Sequence, residues 1–239
     1  MSEQTPTMTR RERLRAETTR EITAIALAQL AEDGPGAISL RGIAREMGMT
    51  PRAIYSYFAT RDELITALTG GIATDLADTV EAARDAVPTA DTGGRLLAWA
   101  LATRAWALAN PQGFRLFFGD PVPGYQPPED GPVERASRRI CGGLTRLVAD
   151  AWPLAGRHQP ADVSWSDFPP AFFARLQDED GAEIPPAAAA LALRVWGRMH
   201  GLVALEIHGH IGAVVHDPAA LYRTDMLDLI GSLGLTPPD

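Results

Sequence analysis

Residues 38–58 read ISLRGIAREMGMTPRAIYSYF, and in this stretch the capping, turn and periodicity signals all specify one compact unit. Ser39 is a good N-cap, because its hydroxyl can take a backbone N–H that the first helical turn leaves without a partner. Leu40, Ile43, Ala44 and Met47 then recur at three- and four-residue steps, which gives a short helix with one buried face. Gly48 stops it, since glycine tolerates the left-handed backbone of a tight helix exit, and Thr50-Pro51 restarts the chain as N-cap and first helical residue. On the second helix Ile54 and Phe58 share the inward face, leaving Thr50, Arg52, Ala53, Tyr55, Ser56 and Tyr57 at its start or on its outer face. The pattern predicts a helix-turn-helix.

The outward residues suit the major groove of DNA. Arg52 can reach guanine O6 and N7, Ala53 can touch a thymine methyl, and Thr50 and the tyrosine hydroxyls can bond phosphate oxygens. The same unit also occurs as a plain packing hairpin, so the motif by itself leaves both uses open. Thr60-Arg61-Asp62-Glu63 adds a capping box that starts a longer helix, with Leu64, Ile65, Leu68, Ile72 and Leu76 as its apolar stripe. The reading helix is thereby fixed to a longer one.

The run GAISLRGIAREMGMTPRAIYSYFATRDELITAL, residues 36–68, resembles the DNA-binding domain of the TetR/AcrR family of transcriptional regulators. The resemblance implies DNA contacts at Arg41, Thr50, Arg52, Ala53, Tyr55 and Tyr57, with Arg61 beside a phosphate at the start of the fourth helix. Many relatives carry lysine near that last position; this chain has no lysine, and all 22 of its basic residues are arginine.

A chain of 239 residues that is 46% hydrophobic can bury a real core and hold a small domain plus a larger one. A single cysteine, Cys141, excludes an internal disulfide, and neither end carries a charged-then-apolar leader, so a cytoplasmic protein is expected. The net charge of −8 argues against nucleic acid until its distribution is considered. Residues 1–63 hold nine arginines against nine carboxylates, so the remainder carries the whole deficit and binding must rest on local placement. Ahead of the motif, Thr9 can cap a helix whose first turns crowd Arg10, Arg11, Arg13, Arg15 and Arg20, while Ile22, Ile25, Ala26 and Leu30 form a later buried face. These arginines either approach the DNA backbone or belong to a solvated helix end paired with Glu12 and Glu17. Residues 1–8 are expected to be flexible, 9–74 to form the DNA-binding domain, and 75–239 a helical ligand-binding and dimerisation domain.

In that second part the periodicity predicts helices over 95–110, from Pro111, over 133–151, 186–210, and from Pro218, separated by the Pro/Gly-rich loop 119–132 and an irregular stretch 152–170. The expected architecture is all-α. The pair Gly197 and Gly201, and the pair Gly209 and Gly212, suggest close approach of another helix backbone. WGRMHGLVALEIHGH, with FRLFFGDPVPGYQPP upstream, resembles the WHG-type C-terminal ligand-binding domain of one branch of TetR-type regulators. That resemblance implies a homodimer whose last two helices form a four-helix bundle, with an interface on Gly197, Gly201, Leu205, His208, Tyr222, Met226, Leu229 and Ile230. It also implies a nearly palindromic operator, repression as the usual mode, and a small-molecule effector.

A ligand pocket is the sensible use of the aromatic residues. Trp99, Trp106, Phe114, Phe117 and Phe118 come from adjacent elements, Trp165, Phe172, Trp196, Met199 and His200 could close the other side, and the ligand would be apolar or aromatic. An aromatic stripe at helical spacing more often marks core than cavity. His200, His208, His210 and His216 lack a metal-binding pattern such as HExxH, so neither a metal nor a cofactor is expected. No phosphate-binding loop, GxSxG elbow or paired-cysteine motif points to an enzyme. The alternative is a helical interaction or ligand-binding module that no longer reads DNA.

Overall fold

The computed structural model describes residues 9–34, 38–159, 162–176 and 184–238; residues 1–8, expected to be flexible, lie outside them. Ten α-helices follow in order: α1 (Arg10–Asp33), α2 (Leu40–Glu46), α3 (Pro51–Ile54), α4 (Arg61–Asp85), α5 (Thr92–Ala109), α6 (Pro111–Phe118), α7 (Pro132–Ala155), α8 (Pro170–Leu176), α9 (Pro186–Ile207) and α10 (Pro218–Ser232). Two 3₁₀ turns, at Gly156–His158 and Trp165–Asp167, complete the regular structure of the described residues, among which no strand occurs. The fold is all-α, as the periodicity predicts. None of these helices is long and apolar enough to cross a membrane.

The chain divides into two compact units, residues 1–72 with 112–131 and residues 73–111 with 132–239. The first is built on a core of Ile22, Ala26 and Leu30 from α1, Leu40, Ile43 and Ala44 from α2, Ile54 from α3, Phe58, and Leu64, Ile65 and Leu68 from α4. Leu116 of α6 and Val122 of the following Pro/Gly-rich loop enter the same core, and the Tyr125 hydroxyl lies 2.9 Å from Thr66 Oγ1. A linear division at residue 74 does not contain this arrangement, because the segment arrives from far along the chain.

In the second unit α7 packs on α9 and α5, and α10 on α5. Trp99 is buried on α5 against Gly143 of α7, where an added Cβ would lie 2.7 Å from Trp99 Cη2. Gly143→Ala is therefore expected to destabilise the protein by about 1–3 kcal/mol, read as a lower urea midpoint at unchanged m-value. Arginine ties the helices together: Arg104 of α5 donates Nε and Nη2 to Glu206 of α9 at 2.8 and 2.7 Å, and Arg198 of α9 meets Asp225 and Asp228 of α10 at 2.7 and 3.1 Å.

Three boundaries depart from the sequence pattern: α5 opens at Thr92, capped by Asp91, three residues ahead of the expected Arg95, and α7 and α9 end elsewhere than expected. α7 continues through Pro153 to Ala155, since a proline in the last turn removes only one hydrogen bond near a frayed end. α9 stops at Ile207, with His208 as C-cap and Gly209 at φ +78°, so Gly209 and Gly212 lie in a turn and their spacing carries no helix-packing meaning.

Candidate nucleic-acid interface

Local chemistry sets the reading helix. Ser39 Oγ accepts the Gly42 N–H at 3.3 Å to open α2, and Gly48 at φ +65° turns the chain out of it. The Met49 N–H closes back on the Ala44 carbonyl at 2.8 Å, and Thr50 Oγ1 accepts the Ala53 N–H at 3.3 Å to open α3. α3 makes one regular turn before tightening, as the Tyr57 N–H reaches the Ile54 carbonyl at 2.9 Å. Its C-terminal end is held from outside: Arg15 Nη2 donates to the Ser56 carbonyl at 2.8 Å, and the Arg15 guanidinium sits 4.8 Å from the centre of the Tyr57 ring. A cation at a helix C-terminus also complements the partial negative charge there.

The start of α4 is fixed as firmly. Thr60 Oγ1 accepts the Glu63 N–H at 3.1 Å, while the Glu63 carboxylate takes the N–H of Ala59 at 2.7 Å, one residue earlier than a standard capping box. Arg61 Nε donates to the Ile38 carbonyl at 3.1 Å, so this side chain ties the start of α4 to the entry of α2. The arginines of the unit thus separate by role. Arg15 and Arg61 hold backbone carbonyls, whereas the exposed side chains of Arg41, Arg45 and Arg52 make no hydrogen bond or ion pair among the described residues. Thr50 and Tyr55 are exposed beside Arg52, and Ala53 and Tyr57 are half-buried. Arg45 was not singled out from the sequence, although its position four residues after Arg41 places both on one face of α2.

An exposed, cation-bearing helix on a rigid three-helix base is the geometry of a groove-reading head. The sequence pattern of bacterial regulatory proteins of the tetR family matches residues 22–68, and that of the tetracyclin repressor-like C-terminal domain matches residues 96–229. The chain belongs to the TetR family. The HTH-type transcriptional regulator Rv1816 of Mycobacterium tuberculosis is 31% identical over 214 residues, covering 89% of this chain and 91% of that protein, and Mb1846 of Mycobacterium bovis matches equally. Among solved structures, a regulatory protein, SCO4313, superposes with a TM-score of 0.69 at 34% identity, covering 93% of this chain and all of that one (100%). A tetR-family regulatory protein from Rhodococcus RHA1 shares the fold, with a TM-score of 0.59 at 18% identity over 93% of this chain and 99% of its own. This TetR-family chain is thus a transcriptional regulator with a helix-turn-helix DNA-binding domain.

The residues expected to form one aromatic pocket are divided between the two compact units. Phe114, Phe117 and Phe118 belong to the first unit, where Phe114 is buried and the rings of Phe117 and Phe118 stand 4.5 Å apart. In the second unit Trp99, Trp106 and Met199 are buried core, and Trp106 Nε1 donates to Asp75 Oδ2 at 2.7 Å. Trp165 and Phe172 pack on a small cluster with Leu176, Ile184, Ala188 and Ala189. Trp196 is 43% exposed, its ring 5.3 Å from that of His200. Burial, and then the neighbouring His208, hold the His200 imidazole below its ordinary range. A cavity of about 450 Å³ does exist in the second unit, lined by Arg84, Arg95, Gly143, Arg146, Trp152, Ile184 and others, but by none of the ten pocket residues expected from the sequence. Among the described residues no group of three His, Cys, Asp or Glu could hold a metal.

The expected interface also divides. On α9, Gly197, Leu205 and the adjoining His208 are exposed, and a Cβ at Gly197 or Gly201 would meet nothing within 4 Å. On α10, by contrast, Tyr222, Met226, Leu229 and Ile230 are buried inside the protomer, with the Tyr222 hydroxyl donating to the Ala100 carbonyl at 3.2 Å. The apolar stripe read as an interface on α10 is protomer core; the outward face of that helix carries Leu221, Thr224 and Asp228 instead.

Proposed function

We propose that this regulator is a homodimeric repressor, acting in the cytoplasm without a catalytic role, that a small molecule releases from a nearly palindromic operator. The observation that carries DNA reading is the set Arg41, Arg45 and Arg52, exposed and without a partner among the described residues, beside Thr50 and Tyr55 on helices whose N-termini Ser39 and Thr50 cap. Residues 9–74 supply the reading head, with 112–131 packed into the same compact unit, and the remainder of 75–239 supplies the regulatory part. Arg52 reads a base edge, Ala53 lies against the groove floor, and Arg41, Thr50, Tyr55 and Tyr57 contact phosphates. Arg61 acts by holding the Ile38 carbonyl, placing α2 and α4 for that contact.

Dimerisation rests on the outward apolar face of α9, where Leu193, Trp196 and Leu205 are exposed at 45%, 43% and 45% around the open Gly197 and Gly201, with Leu221 of α10 exposed at 38%. Such a stripe is costly to leave in water, and small residues let two helices approach closely. A two-fold pair then presents two heads to half-sites about one turn of DNA apart. An effector that binds better to the form with mis-spaced heads lowers operator affinity by the same coupling energy.

Fluorescence anisotropy against DNA from upstream of the protein's own gene, beside scrambled DNA at near-physiological salt, tests the reading. Affinity for one fragment about a thousandfold above scrambled sequence is expected. Arg52→Ala should weaken that binding by about 1–3 kcal/mol and binding to scrambled DNA much less; equal loss on both removes Arg52 from base reading. Selection from random sequence that recovers no preferred site would reject the reader altogether.

A further inference from the structure

The cavity in the second unit has one strongly cationic wall and one apolar wall. Arg84 at the end of α4, Arg95 near the start of α5 and Arg146 on α7 bring three guanidiniums to it; Leu147, Ala149, Trp152, Pro153, Ile184 and Pro185 supply the apolar side. Its volume of about 450 Å³ lies within the range of small-molecule sites.

Two of the guanidiniums are held in place by groups that use only part of their donor set. Arg84 donates Nε and Nη2 to Asp85 at 2.7 and 2.9 Å, and its cationic carbon lies 5.9 Å from the centre of the Trp99 ring. Arg95 donates Nη2 to the same Asp85 at 3.3 Å and Nε to the Arg84 carbonyl at 3.4 Å. Neither Nη1 has a hydrogen-bond partner among the described residues, and that of Arg84 lies 3.5 Å from the point where a Gly143 Cβ would stand. Gly143 itself lines the cavity, so the absence of a side chain there leaves the Arg84 edge uncovered. Asp85 and, through space, Glu81 are the carboxylates that act on Arg84, and Asp150 lines the cavity beside Arg146.

We propose that this cavity binds an amphipathic carboxylate, its anionic head on the free edges of Arg84 and Arg95 with Arg146, and its apolar body against Trp152, Leu147 and Ile184. A planar fork already fixed by one carboxylate loses little freedom in taking a second, and bidentate arginine–carboxylate pairing is charge-assisted. Arg84, Asp85, Arg95 and Trp99 therefore act as a preformed receptor for the head group, while the body is recognised by area alone and is correspondingly less specific. The assignment concerns the effector of the regulator proposed above, and depends on that reading only for its consequence at the operator. It replaces the apolar ligand expected from the aromatic residues with an acid.

The test is isothermal titration of the full-length protein, without DNA, with 2-naphthylacetate and with its neutral counterpart 2-naphthylacetamide. Wild type is compared with Arg146→Gln, an exposed change outside the reading head, and with Ala149→Phe, which fills the cavity; circular dichroism checks that each is folded. The carboxylate should bind about tenfold or more tightly than the amide. Arg146→Gln should erase most of that preference, and Ala149→Phe should abolish binding of both compounds. An amide that binds as tightly, carboxylate binding that both folded variants leave unchanged, or no binding at millimolar carboxylate would each overturn the proposal. Because the assay contains no DNA, failure of operator recognition in the anisotropy experiment leaves this result standing. A carboxylate that binds here yet leaves operator affinity unaltered would reject only the regulatory reading.

Discussion

Replacing Gly201 by arginine is expected to leave the protomer folded, to convert dimer into monomer, and to reduce operator affinity by about a thousandfold, or about 4 kcal/mol. A side chain added at this position meets nothing within 4 Å, so the protomer has room for it. Between two copies of α9 the same group would separate the helices and place an unpaired charge among Leu193, Trp196, Leu205 and their counterparts, whose loss of water it would not repay. A monomer engages one half-site and forfeits the effective concentration that the second head provides. Sedimentation velocity gives the oligomeric state and anisotropy the affinity. A dimer with undiminished affinity would show that the subunits meet elsewhere, whereas Arg52→Ala should keep the dimer and lose only the operator.

The second large effect concerns stability. Arg104→Ala should lower the unfolding free energy by about 2–4 kcal/mol, because Glu206 would keep a charge where its side chain is only 15% exposed and where both of its oxygens had partners. Arg104 also lies 6.0 Å from the centre of the Tyr222 ring, so its removal loosens α10 as well as α9. The pair joins residues 102 positions apart in sequence, and its loss falls on the elements proposed to carry the dimer. Urea denaturation of Arg104→Leu, Glu206→Leu and the combined Arg104→Leu/Glu206→Leu protein gives the coupling directly, with Arg104→Ala measured beside the cycle. The double variant should recover most of the stability, since a well-packed apolar pair carries no desolvation penalty. A double variant as unstable as Arg104→Ala would show that packing of the arginine stem, and not the isolated carboxylate, sets the cost.

What the sequence by itself determined is local. Thr9, Ser39, Thr50 and Asp217 are caps because a short polar side chain beside its own helix can reach only the first free N–H groups. Gly48 is a turn for an equally local reason, and the buried face of the helix-turn-helix follows from spacing within one or two turns. Such features predict the reading head almost entirely, and the family resemblance of residues 36–68 rests on the same residues.

What only the tertiary structure decided is which partner each side chain meets. Arginine spacing does not distinguish Arg52, left exposed, from Arg15 and Arg61, whose partners Ser56 and Ile38 are 41 and 23 residues away. Both faces of α10 carry apolar residues, and only packing on α5 shows that Tyr222 and Met226 are core while Leu221 faces water. Trp99, Trp106 and Phe114 are core within their own units, since large rings fill the gaps nearest to them, and the cavity lies where Arg84, Arg95 and Arg146 meet Trp152 and Ile184. Hydrophobic periodicity records that a face is buried, and does not record against what.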